Sequence, residues 1–139
     1  MNNRKEQALA YLKEAELTLE SAKTILDSSN RENEMWAQVV KNAYDAIEQA
    51  ASAGIAASNQ KAPRDHPVKI KSFVESLNIG EELRNSLFKW LRKRSNSQYV
   101  DIRGDEINVP HEIFNQSDAE EIIKDAERTI GKVREEIKS

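Results

Sequence analysis

The chain has 139 residues and no cysteine, which suits a single domain (1–139) in a reducing compartment and excludes thiolate catalysis and thiolate metal sites. Its first residues lack the apolar stretch of a secretory signal, and no run of about 18 apolar residues occurs, so we expect a cytoplasmic protein without membrane contact. With 32% charged residues, four Gly and three Pro, the composition is typical of long amphipathic helices.

Two long helices are predicted in the first part of the chain. Apolar residues spaced by three and four predict a helix from about Arg4 to Ser28 and a second from about Asn33 to Ser58. The second half of the latter is nearly all small residues, which let neighbouring backbones approach closely, so we expect it to lie at the centre of the fold. Gly54 costs about 1 kcal/mol of helix propensity relative to Ala, so we expect a packing reason for it.

Two shorter helices are predicted in the middle of the chain. The third begins near His66-Pro67, because Asp65 or His66 can cap it and proline suits a first turn. The fourth runs from Glu81 to about Arg94, with acids at its positive end and cations at its negative end.

Residues 95–117 form the irregular part of the sequence. The alternation in 99–103 and 106–109 predicts a weak hairpin, and such a long connection is often functional. The last helix is predicted from about Ser117 to Ile137, with Ser117 and Glu120 as its capping box. These elements predict an all-α protein, an up-and-down antiparallel four-helix bundle with an additional short helix and an irregular loop at about 95–117.

Charge is distributed unevenly along the chain, although the total is only −3. Residues 60–94 hold nine Lys and Arg against four Asp and Glu, whereas 1–59 hold six against nine and 95–139 hold six against eleven. The basic middle is either a face for a polyanion or charge that averages out over the folded surface. A third possibility is that it meets an acidic block of a second copy.

Few residues can support catalysis. The chain has two histidines, His66 and His111, and the simplest role of each is structural, at a helix start and in a loop turn. No Glu stands three residues before either histidine, and no glycine-rich phosphate loop occurs, so we expect no metal and no cofactor. The segment from Arg84 to Tyr99 is the remaining candidate, because Tyr99 could stack on a base while arginines hold phosphate.

Three stretches together resemble the HEPN-domain family: 42–51 on the second helix, 61–73 with a Pro and a His before the third, and 94–101 after the fourth. The resemblance implies a four-helix bundle that often forms a homodimer and pairs with a minimal nucleotidyltransferase in toxin–antitoxin operons. It also implies a metal-independent ribonuclease motif, Arg-x4–6-His, in active members. This chain departs from the motif, because Tyr99 stands five residues after Arg94 where the histidine could be. Tyrosine, with a pKa near 10, is a poor general base at neutral pH.

The main hypothesis is a catalytically degenerate, dimeric HEPN-like module that binds RNA, a nucleotide or a nucleotidyltransferase. The expected ligand-binding residues are Arg92, Arg94, Asn96, Tyr99, Lys41 and Asp45. One alternative is a ribonuclease with an altered constellation of Arg94, Tyr99 and His66. The other is a purely structural protein that oligomerises through its apolar stripes.

Overall fold

The computed structural model describes residues 3–30, 32–94, 101–103, 106–108 and 113–138. It confirms the all-α fold and comprises, among these residues, five helices and one short hairpin. The elements are α1 (Asn3–Ser28), α2 (Trp36–Ala57), α3 (His66–Ser76), α4 (Glu81–Lys93), β1 (Asp101–Arg103), β2 (Glu106–Asn108) and α5 (Gln116–Lys138). No helix in these parts of the chain is long and apolar enough to cross a membrane.

The three longest helices form the main core, as their apolar stripes predict. The helix α1 buries only one narrow face, whose residues are Ala8, Leu12, Ala15, Leu19 and Ala22. The helix α2 lies between α1, α3 and α5 and is buried on most of its circumference. The prediction that α2 is central is therefore confirmed.

The connection between α1 and α2 explains why α2 begins later than the sequence predicts. The Asn30 side-chain oxygen accepts from the backbone N–H groups of Glu32 and Asn33, at 2.9 Å each. Asn33 also exchanges two backbone hydrogen bonds with Asn30. This turn holds Asn33 outside the helix, and α2 begins at Trp36 instead.

Close packing of α3 on α2 accounts for Gly54. A Cβ atom at this position would lie 2.5 Å from Cε1 of Phe73 and 3.3 Å from Cγ2 of Val133. Both distances are shorter than ordinary van der Waals contact, so only glycine lets the buried Phe73 ring lie this close to the α2 backbone. The expected packing reason is found here.

Local signals fix the ends of α3 and α4. Asp65 caps α3 through a 3.0 Å hydrogen bond from the Val68 N–H to its carboxylate, and Pro67 occupies the first turn. Gly80 has a φ of +87°, a left-handed conformation that favours glycine, and α4 begins at the next residue. Both starts lie where the sequence predicts them.

The second half of the chain contains the hairpin and α5. The strands pair antiparallel with Ile102 opposite Ile107, where the alternation of the sequence predicts a hairpin.

The capping box of α5 is not formed by Ser117 and Glu120, as the sequence predicts, but by a pair of residues two positions earlier. The Asp118 N–H donates to the Asn115 side chain at 2.9 Å, and the Asn115 N–H donates back to Asp118 at 3.1 Å. The same reciprocal pattern is made by an Asn and an Asp, and α5 begins at Gln116.

Polar contacts fix α4 against α5. The Trp90 indole N–H donates to the buried Asp125 carboxylate at 2.8 Å. Lys89 pairs with Glu121, and its ammonium lies 4.4 Å from the centre of the Trp90 ring. These contacts determine where the basic end of α4 lies.

Candidate functional site

Charged and polar side chains from three helices meet beside the middle of α2. We call this group the polar cluster: Tyr44, Asp45 and Glu48 of α2, His66 and Lys69 of α3, and Arg94 at the end of α4. The α4–α5 contacts and the Gly54–Phe73 packing determine the positions of α4 and α3, and so bring their polar ends to α2.

Glu48 is the buried centre of the polar cluster. Its side chain is 8% exposed, and its two carboxylate oxygens lie 2.6 and 2.7 Å from Nδ1 of His66. Nζ of Lys69 lies 3.4 Å from one of these oxygens. A buried carboxylate is costly unless it is paired, and these two partners from α3 compensate its charge.

The Tyr44 side chain is almost completely buried next to Glu48. Burial, followed by the negative charge of Glu48, raises the pKa of the Tyr44 phenol, while Arg94 lowers it. The hydroxyl lies beside the Glu48 carboxylate without a hydrogen bond of good geometry to it. Tyr44 is therefore held as a neutral phenol at neutral pH.

Asp45 lies among the charged members of the cluster. Burial raises the pKa of its carboxyl, and Lys41 and then Arg94 and His66 lower it, whereas Glu48 raises it. Both Arg94 and His66 are thus close enough to Asp45 to act on its charge. The guanidinium from α4 and the imidazole from α3 share one carboxylate neighbour on α2.

Four of the residues predicted from the sequence come together here: Lys41, Asp45, His66 and Arg94. Arg92 lies in the last turn of α4 and is exposed. Asn96 and Tyr99 lie outside the described residues, and so do His111 and most of the 95–117 loop.

The sequence reasoning missed Glu48, Lys69 and Tyr44 as site residues. One signal was available: Tyr44 and Glu48 are four residues apart on a predicted helix, so both side chains lie on one face, next to its apolar stripe. The pairing of Glu48 with His66 spans 18 residues and depends on how α3 packs, which local spacing does not reveal.

Exposed cations occur on α3, on α4 and in the connection before α3. The residues of this cationic group are Lys61, Arg64, Lys71, Arg84 and Arg92. Within the described parts of the chain none of the five has an ion pair. Lys89, which the sequence places in the same basic segment, is instead used internally against Glu121 and Trp90.

The described residues were also compared with the side-chain groups that hold metal ions. Among residues 3–30, 32–94 and 113–138, no three His, Asp or Glu side chains are grouped so that they could hold a metal ion.

Comparison with known proteins agrees with this architecture. The model of a family described as HEPN domain matches residues 1–136. The crystal structure of TT1696 from Thermus thermophilus is similar, with a TM-score of 0.76 and 20% sequence identity over 98% of this chain and 99% of that chain. At this identity the similarity shows the fold alone. No match was found among curated proteins.

Proposed function

Because this chain belongs to the HEPN-domain family, we propose that it is a nucleotide- or RNA-binding module in which the cationic group and the end of α4 contact phosphate. The observation that carries the proposal is the set of five exposed cations without ion pairs in the described parts of the chain. Cations that are not neutralised internally can replace the counterions of a polyanion, which favours binding at low salt.

The position of Arg92 supports this proposal. It lies in the last turn of α4, two residues from Arg94 of the polar cluster. Residues two apart on a helix point to different sides, so we expect Arg92 and Arg94 to contact different parts of a bound chain, with Lys41 across the cluster on α2. Asn96 and Tyr99 stay proposed contacts, because they follow Arg94 closely in the chain.

Titrating binding against salt tests this proposal. We expect Arg92→Ala to weaken the binding of a fluorescein-labelled single-stranded RNA and to lower the slope of log K against log salt by about 0.7. Lys132→Ala is the matched control, because Lys132 is an exposed cation on α5, outside the cationic group. Equal slopes for wild type, Arg92→Ala and Lys132→Ala would contradict the proposal.

This chain lacks the histidine of the family motif Arg-x4–6-His after Arg94. We therefore propose that the module is catalytically degenerate. Its partners are proposed to be a second copy of itself and a minimal nucleotidyltransferase, as in the toxin–antitoxin systems of the family. Co-purification with the product of a neighbouring nucleotidyltransferase gene would test the second partner.

A second candidate function is a ribonuclease with an altered constellation, and one observation favours it. Asp45 lies within electrostatic range of both Arg94 and His66, so an imidazole from α3 shares a neighbour with the arginine of the motif. Incubation of end-labelled RNA with wild type and with Arg94→Ala tests this candidate. Cleavage by the wild type that does not exceed the background of the variant would reject it.

A further inference from the structure

An open groove with a volume of about 490 Å³ lies between α3 and α4. Its lining combines the apolar residues Val74 and Phe88 with the polar residues Arg84 and Asn85. We propose that this groove binds a single-stranded segment of RNA, with one base stacked on Phe88 and the phosphates on either side held by Arg84 and Arg92. The site deepens the proposed binding of RNA and rests on it.

Phe88 is the aromatic side chain of this groove. It packs against the core and also lines the groove, so its ring is partly buried and held in place. Trp90 of the same helix is buried, and the ammonium of Lys89 lies 4.4 Å from the centre of its ring. Phe88 therefore offers a base an open aromatic surface, whereas Trp90 does not. Stacking on such a surface tolerates any sequence, because every base has a π-face.

Two cations flank Phe88 on the same helix. Arg84, Phe88 and Arg92 are four residues apart, so they form one row along α4. Each step of four residues advances about 6 Å along a helix axis, which places the two arginine positions about 12 Å apart with the ring between them. Both arginines are exposed. A cation, an aromatic ring and a second cation in one row suit the alternation of phosphates and bases in a single strand.

A third cation lies on the α3 side of the groove. Lys71 is exposed and stands three residues before Val74, so both residues occupy one face of α3. Within the described parts of the chain, Lys71, Arg84 and Arg92 have no ion pair. Cations grouped without internal partners repel one another, and a phosphate chain in the groove removes that cost. Packing of α3 against α4 explains an apolar residue at position 88, but it does not explain these cations.

An acidic residue sets the direction of the bound strand. Glu81 is exposed and lines the groove at the start of α4, three residues before Arg84. Its charge repels phosphate at that end of the groove. We therefore expect the strand to run from Arg84 toward Arg92, and so toward the end of α4, which Asn96 and Tyr99 follow in the sequence.

Affinity and its salt dependence separate stacking from charge. We expect Phe88→Leu, which keeps an apolar side chain in the groove, to bind a fluorescein-labelled single-stranded RNA at least about 5-fold more weakly than the wild type. The slope of log K against log salt should stay the same, because no phosphate contact is lost. Arg84→Ala should instead lower this slope by about 0.7, and Glu81→Gln should tighten binding.

Probes without accessible bases isolate the role of the ring. An abasic oligonucleotide of the same length carries the phosphates but no base to stack, and a duplex keeps its bases inside. Wild type and Phe88→Leu should therefore bind each of these probes equally. Tyr11→Leu is the matched control, because Tyr11 is a partly buried aromatic residue of α1, outside the cationic group, and its loss should not change the affinity for RNA.

Should Phe88→Leu fail to fold, Phe88→Trp decides the question. Its added indole should keep the affinity and lose fluorescence when the single-stranded RNA binds, whereas the abasic probe should leave that fluorescence unchanged. An indole that the RNA does not quench overturns the inference.

The two levels of the hypothesis fail in different ways. Equal affinity of wild type and Phe88→Leu for the single-stranded RNA overturns the stacking site and leaves the binding function intact. Polyglutamate that competes as well as RNA of equal charge also overturns the stacking site, and it points to an acidic protein partner. Failure of the wild type to bind RNA overturns the stacking site and the RNA-binding function together.

Discussion

Single residues decide the close contacts of this fold, and Gly54 is the clearest case. Its missing side chain lets Phe73 of α3 lie against α2, and this contact helps to bring His66 and Lys69 to Glu48. A second helical glycine, Gly131 of α5, has no atom within 4 Å of the position that its Cβ would take.

The two glycines therefore predict opposite effects of the same substitution. We expect Gly54→Ala to lower the free energy of unfolding by about 1–2 kcal/mol, because overpacking outweighs the gain in helix propensity. Gly131→Ala should raise it by about 0.5–1 kcal/mol, since only the propensity changes. Urea unfolding of both variants measures this, and stabilisation by Gly54→Ala would show that Phe73 moves freely.

Asp125 predicts how stability depends on pH. Burial raises the pKa of its carboxyl, although the hydrogen bond from Trp90 lowers it. The folded chain then holds this proton more tightly than the unfolded chain does. The contribution of Asp125 to stability is therefore complete below a pH of about 4 and is lost as the pH rises through its folded pKa.

Replacement by asparagine removes that dependence. We expect Asp125→Asn to gain stability relative to the wild type as the pH rises from about 4 to about 7, as measured by urea unfolding at a series of pH values. The amide oxygen can still accept from Trp90. Asp27→Asn, at an exposed position, controls for the loss of one charge. If the stability of Asp125→Asn changed with pH in parallel with that of the wild type, the raised pKa of Asp125 would be contradicted.

At the scale of elements, helix ends illustrate how one pattern can be satisfied by different residues. Two residue pairs at the start of α5 have the spacing of a reciprocal cap: Asn115 with Asp118, and Ser117 with Glu120. In the structure the hydrogen bonds are made by Asn115 and Asp118. Phe114, the residue before Asn115, is buried in the core. Its position fixes the backbone there, and Asn115 is therefore the residue placed to cap the helix.

The cap of α5 gives a direct test of that choice. We expect Asn115→Ala to lower the free energy of unfolding by about 0.5–2 kcal/mol, because the N–H of Asp118 loses its acceptor. Ser117→Ala is the matched control, two residues away and exposed, and should have almost no effect. Thermal unfolding followed by circular dichroism compares the two, and a larger loss in Ser117→Ala would restore the original prediction.

For the whole molecule, the distribution of charge matters more than its sum. The basic residues 60–94 lie between two acidic parts of the chain, yet the net charge is only −3. Part of this charge is paired between α4 and α5, through Lys89 with Glu121 and Arg128 with Glu82, so the exposed cations without ion pairs are the ones that can attract a polyanion.

The proposed homodimer predicts a mass twice that of the 15.8 kDa chain. We expect light scattering at micromolar concentration to give the mass of the dimer. If the interface is apolar, the dimer mass should be the same at low and at high salt. A single monomeric mass across the concentration range would argue against the dimer. Dissociation at high salt would instead favour contact between basic and acidic blocks of two copies.

The sequence by itself determined the helices and their buried faces. Apolar spacing of three and four is a local property of a chain, so α1, α2 and α5 and the central place of α2 followed from it. The starts of α3 and α4 could also be predicted, because they depend on local effects of Asp65, Pro67 and Gly80 on the adjacent backbone.

Tertiary structure alone decided the pairing of Glu48 with His66 and Lys69, and the use of Trp90 and Asp125 to fix α4 against α5. These partners are far apart in sequence, and their contact depends on the packing of whole helices around Gly54 and Phe73. Lys89 shows the same limit: its charge was visible in the sequence, but its engagement with Glu121 and Trp90 depended on which helix lies opposite. Local spacing specifies which face of a helix is buried, whereas the partner on that face is set by long-range packing.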